Sequence, residues 1–122
     1  MAKGDDIQVR LLSFAGEAME ICDQLPKTTA GSHIAGQLLR CATSAASNYA
    51  EARGAESKND FIHKLGVVFK ELNESEVWLQ LLVSREILTR VRVDATLEQC
   101  RVLCRIVAAS RRTARGGRPE RD

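Results

Sequence analysis

The side chains in this sequence that could bind a metal or carry out catalysis are few: four cysteines, two histidines and one dense run of carboxylates. Four thiolates can build a tetrahedral zinc site. Counting turns along helices places Cys22, Cys41, Cys100 and Cys104 roughly two to three turns from one end of a bundle, where they can share a layer. Their spacings match no common zinc motif, and cysteine is a frequent small core residue. In a chain whose first residues carry no export signal, thiols stay reduced. The reading is four core thiols, with no metal and no cofactor.

Histidine adds little. Di-iron bundles repeat a Glu-x-x-His motif, and Asp60-Phe61-Ile62-His63 is the one fragment of that kind. His33 and His63 fall near opposite ends of antiparallel helices, roughly 20 Å apart along the axis. Among the carboxylates, Glu71, Glu74 and Glu76 lie beside Lys70, with Lys70 and Glu74 at the spacing of a helical ion pair. Acid–base work needs a second acid or a nucleophile at matching spacing, and none is supplied. No catalytic residue is assigned, and the chain reads as non-enzymatic.

The remaining chemistry is basic. Arg101, Arg105 and Arg112 recur at helical spacing, and Arg111, Arg115 and Arg118 extend the charge into a Gly-rich terminus without apolar periodicity. Residues 110–122 carry five arginines against Glu120 and Asp122, a surplus of +3, so the rest of the chain sums to −1. Such a stripe and tail suit contact with the phosphates of RNA or DNA without reading sequence. The bland alternative is a solubilising tail.

These residues must be positioned by helices. Aromatics are 4% of the chain, so a core has to be built from Leu, Val, Ile and Ala. Ile7, Leu11, Phe14, Ala18, Ile21 and Leu25 form one stripe, stopped by Pro26. Ile34, Leu38, Cys41, Ala45, Asn48 and Ala52 form the second, after a turn from Pro26 to Ser32, and Gly54 ends it. Ser57 and Asp60 have capping-box spacing. They open a third stripe of Phe61, Leu65, Val68, Leu72, Ser75, Leu79 and Leu82, running to about Leu88 over roughly 48 Å. Val93, Leu97, Cys100, Cys104 and Val107 mark a fourth helix starting near Asp94. Short connections make neighbours antiparallel. The fold class is all-α, an up-down four-helix bundle over residues 1–112 with a disordered Arg-rich tail over 113–122. No run approaches ~18 apolar residues, so no membrane span is expected and the cytoplasm is the expected location.

From Cys41 to Ala50 the second helix carries no charge, in a chain that is 28% charged. An uncharged helix is normally covered on more than one side, and Gly36, Thr43, Ser47 and Ala50 are small enough for another backbone to approach. Either the internal packing is tight or, the favoured reading, a subunit interface lies there, with Trp78 beside it. Asn48 and Ser75 fall on apolar stripes and read as buried polar groups; Asn48 should find a partner in Ser75, Glu51 or Glu74.

Two blocks in this region, Gln37 to Ala52 and Ser57 to Leu65, followed by Lys70-Glu71-Leu72-Asn73-Glu74-Ser75 and Trp78-Leu79, resemble the bacterial four-helix bundle protein family. That family includes proteins encoded by intervening sequences within large-subunit ribosomal RNA genes and is related to accessory proteins of diversity-generating retroelements. The resemblance covers about Ile7 to Arg112. It implies a subunit that assembles into a ring, typically a homopentamer, without known catalysis. Its retroelement relatives bind nucleic acid and a reverse transcriptase. The sequence departs from the pattern at Cys41 and at Ala45-Ala46. Two functions follow as expectations: a homo-oligomeric scaffold holding nucleic-acid backbone on its arginines, or a module docking a partner protein such as a reverse transcriptase through Trp78, Tyr49 and Leu81.

Overall fold

In the computed structural model, which describes residue 2 and residues 4–116, the chain is four helices in sequence. They are α1 (Asp5–Gln24), α2 (Thr29–Arg53), α3 (Lys58–Ser84) and α4 (Arg90–Ala114). Each packs on its neighbours in the chain and α1 closes on α4, whereas no α1–α3 or α2–α4 contact occurs among the described residues. This is the antiparallel up-down square that short connections impose.

Local signals explain most of the helix ends. Gly4 precedes α1 with φ 92, and a Cβ there would lie 2.9 Å from the Tyr49 hydroxyl, so glycine is required twice over. Pro26 follows the last residue of the first core stripe, Leu25. The Thr28 side chain accepts from Gly31 N at 3.0 Å and starts α2 three residues before the end of the predicted turn. Gly31 itself has no room for a side chain, since a Cβ would fall 2.1 Å from the Pro26 carbonyl oxygen. Ser57 caps α3 by accepting from Asp60 N at 3.0 Å, as its spacing suggested.

The turn between α3 and α4 departs from expectation. α3 stops at Ser84 instead of running to Leu88, and α4 starts at Arg90 instead of near Asp94. The backbone turns through Glu86, whose φ is 55. Glu86 N donates to Val83 O and Ile87 N to Leu82 O, the bonding pattern of a Schellman stop with glutamate where glycine is usual. At the other end α4 continues through residues 113 and 114, beyond the expected bundle limit of residue 112. Residues 117–122 lie outside the described residues.

The core is aliphatic. Leu11, Leu38, Leu65, Leu72, Leu79, Leu82 and Leu103 are fully buried, with Phe14 the bulkiest side chain among them. Burying each such side chain is worth about 1.5–3 kcal/mol. Ser75 and Thr96 are the buried polar residues among the described ones; Ser75 is the one on a predicted core stripe. It is fully buried on α3, donates to the Glu71 carbonyl at 2.9 Å and stands 3.1 Å from Cys41 Sγ. Asn48 differs from expectation: it is only partly buried and turns back along its own helix, to the Ser44 carbonyl and hydroxyl, both at 2.9 Å.

Candidate functional site

The outward face of α2 is the most unusual surface of the bundle. Gly36, Leu39, Thr43, Ser47 and Ala50 are all exposed on it. The Thr43 hydroxyl donates to Leu39 O at 2.7 Å and the Ser47 hydroxyl to Ser44 O at 3.2 Å. Both hydroxyl protons are thus taken by the helix's own carbonyls. A Cβ added at Gly36 would meet nothing within 4 Å, so the face is open there.

This face continues onto α1. Ala15 is buried and Cys22 donates its thiol proton to Ala35 O at 3.3 Å, which fixes the side of α1 that touches α2. One step further round the same helix come Leu12 and Met19, then Val9 and Gly16. Val9, Leu12, Met19 and Leu39 are 62%, 57%, 50% and 42% exposed. Four large apolar side chains therefore stand in water beside an uncharged helix face. The small residues of α2 are expected from the sequence; this α1 stripe is not, although its spacing of 9, 12, 16 and 19 is present there.

Trp78 lies on the α3 side of α2, partly buried at the α2–α3 seam. Its Nε1 donates to Glu74 at 3.2 Å and its ring meets His33 edge-on, centroids 5.6 Å apart. Arg40 bridges the same seam, bonding Glu71 at 3.3 Å, Gln37 at 3.2 Å, and Glu74. The bond from Arg40 holds the Glu74 carboxyl below its ordinary range, helped by the Trp78 N–H. Lys70, the sequence-predicted partner of Glu74, forms no ion pair with it among the described residues; Glu74 is taken by Arg40. Lys64 pairs with Glu51 at 2.7 Å further along the seam. Of the other proposed anchors, Tyr49 is buried under the start of α1 and Leu81 is partly buried.

The arginines do not form one free stripe. Arg101 bonds Glu76 at 3.1 Å, and Arg105 reaches Glu98 at 3.7 Å with both side chains about two-thirds exposed. Arg111 donates to the Ile62 carbonyl at 3.3 Å and lays its guanidinium over Gly66. Arg112 and Arg115 are exposed, and Arg118 lies outside the described residues.

Nor do the four thiols share one site. Cys22 donates to Ala35 O, Cys41 to Leu38 O, Cys100 to Leu72 O and Cys104 to Asn73 Oδ1. Among the described residues no three of His, Cys, Asp and Glu are placed to hold a metal ion. The surface grooves of about 510 and 640 Å³ flank the α3–α4 turn, away from the α1–α2 face. No described helix is long and apolar enough to cross a membrane.

Four antiparallel helices with an aliphatic core and an uncharged outer face define a four-helix bundle protein. More particularly, the chain belongs to the 23S rRNA-intervening sequence protein family, which it matches over residues 6–109. It is similar to a protein of unknown function from the S23 ribosomal protein family of Bacteroides thetaiotaomicron VPI-5482, known from its crystal structure. The two are 30% identical with a TM-score of 0.80, over 85% of this chain and 96% of that one. No curated protein matches.

Proposed function

We propose that this protein is a non-enzymatic scaffold subunit that associates with copies of itself through the α1–α2 face. The observation that carries the reading is the exposure of Val9, Leu12, Met19 and Leu39 beside a helix face without charge. Contiguous apolar surface of this kind marks an interaction site in a soluble protein. The small residues Gly36, Thr43, Ser47 and Ala50 admit close backbone approach, and turned-in hydroxyls leave few polar groups to desolvate. The resemblance noted in the sequence makes a ring of five the expected closed form, housed in the cytoplasm.

Sedimentation velocity over a hundredfold concentration range tests this. Wild type is expected at a multiple of 13.5 kDa, and Leu12→Glu with Ala50→Glu as a folded protomer. A wild type that sediments as a lone protomer at high concentration defeats the reading.

Nucleic-acid binding is a second part of the proposal. It rests on Arg105, Arg112 and Arg115, which are exposed, with Arg118 beyond them in the sequence; Arg101 and Arg111 are held within the subunit. Repetition of these arms around an assembly multiplies a modest charge. Anisotropy titration with RNA and DNA at two salt concentrations, on the full chain and on a form ending at Ala109, checks it. Salt-insensitive absence of binding by both forms leaves a partner protein, such as a reverse transcriptase, as the occupant of the scaffold.

A further inference from the structure

Cys100 and Cys104 form a pair on α4, in a bundle where no three metal-binding side chains come together among the described residues. Four residues apart on α4, they sit one turn above the other on the same side of the helix, with Cβ atoms about 5–6 Å apart. Cys100 is fully buried, its thiol directed at Leu72 O, 3.2 Å away. Cys104 is 9% exposed and reaches Asn73 Oδ1 at 3.6 Å, on an asparagine that is itself exposed. Both thiols thus lie at the α3–α4 seam, Cys100 wholly covered and Cys104 with a narrow exposed margin.

The geometry points to a dithiol site for trivalent arsenicals carrying one organic substituent. Such a centre has two exchangeable valences and needs two sulfurs. Zinc needs four ligands, and no third metal-binding side chain joins this pair among the described residues. The product is also uncharged, which suits an apolar seam. The pair does not readily satisfy itself instead, because a disulfide requires Cβ atoms about 3.5–4.5 Å apart. Closing one here means unwinding a helical turn.

The chemistry balances without a change of oxidation state. A hydrated arsenical, R–As(OH)₂, exchanges two As–O bonds for two As–S bonds, and each hydroxide leaves with a thiol proton as water. The neighbouring Cys104 thiol, with burial, pushes Cys100 far above the usual thiol range. Attack begins from Cys104, the sulfur nearer solvent, and the fully buried Cys100 thiol gives up its proton as the ring closes.

Phenylarsine oxide is the probe, added to the native full-length protein and followed by intact-mass spectrometry. The expected result is one arsenic per chain, retained against excess monothiol and released by 2,3-dimercaptopropanol. Cys104→Ser should lose retention with its helical circular dichroism intact. The Cys22→Ser/Cys41→Ser double variant should keep it. Retention by Cys104→Ser, loss in the Cys22/Cys41 variant, or no retained arsenic on native wild type overturns the assignment.

Discussion

The contact between Gly66 and Arg111 can be tested by a double-mutant cycle whose magnitudes follow from the structure. An alanine Cβ at position 66 would stand 2.9–3.1 Å from the guanidinium atoms of Arg111. The obstacle is the far end of a flexible side chain, so it moves, and the bond from Arg111 Nε to the Ile62 carbonyl is lost. Losing that bond costs about 1 kcal/mol. Replacing glycine in a helix interior returns about 1 kcal/mol through propensity. Gly66→Ala alone should therefore change stability by less than about 0.5 kcal/mol, whereas in an Arg111→Ala background it should stabilise by about 1 kcal/mol. Urea denaturation of the four proteins at one fixed concentration measures the coupling. A Gly66→Ala effect that is the same in both backgrounds refutes the claim that Arg111 occupies the space a side chain would fill.

Three further outcomes are expected. Because Arg40 holds the folded-state Glu74 carboxyl below its ordinary value, the stability it contributes is complete above the ordinary carboxylate range and is lost as pH falls through the depressed value. Trp78, the chain's one tryptophan, bonds the same carboxylate, so its fluorescence should titrate below about pH 4.5 in wild type and not in Glu74→Gln. Burial raises the Cys22 thiol to about 11; at pH 8 its reaction with a disulfide reagent should be about a hundredfold slower than that of an ordinary thiol, and denaturation should release four reactive thiols. Leu72→Ala, at a fully buried site, should cost about 2–5 kcal/mol in denaturant unfolding, while Ser75→Ala should cost about 1 kcal/mol, since Cys41 keeps its bond to Leu38 O.

The bundle was legible because each stripe repeats at helical spacing and Pro26, Ser57 and Gly54 punctuate it. The α3–α4 turn was not, because its left-handed residue is Glu86, which gives none of the signal that glycine would. The start of α4 was hidden for a related reason: Thr89 makes no side-chain cap bond, and Val91, in the first turn, is 89% exposed and off the stripe. Asn48 was misplaced by its position at the edge of the apolar arc. The serine four residues before it, a local partner that competes with distant ones, was readable in the sequence. The arginines kept their helical spacing, yet spacing along one helix cannot reveal Glu76 or Gly66 on the next. The α1 part of the proposed self-association face was present in the letters as a second stripe, and became distinct only once α2 was seen to occupy the adjoining side.

The closure of α1 on α4 has a bearing on how the molecule comes apart. Its other three seams join consecutive helices, while this one links the two ends of the chain and is the thinnest of the four. Its side-chain hydrogen bonds, Thr96 to Glu17 at 2.9 Å and Arg92 to Gln24 at 2.7 Å, both lie toward the Pro26 end. The opening half of α1 is therefore the part least tied to the far end of the chain. Separation of α1 from α4 should start in that half, which stays tied to α2 through the Arg53 bonds to Asp5 and Gln8.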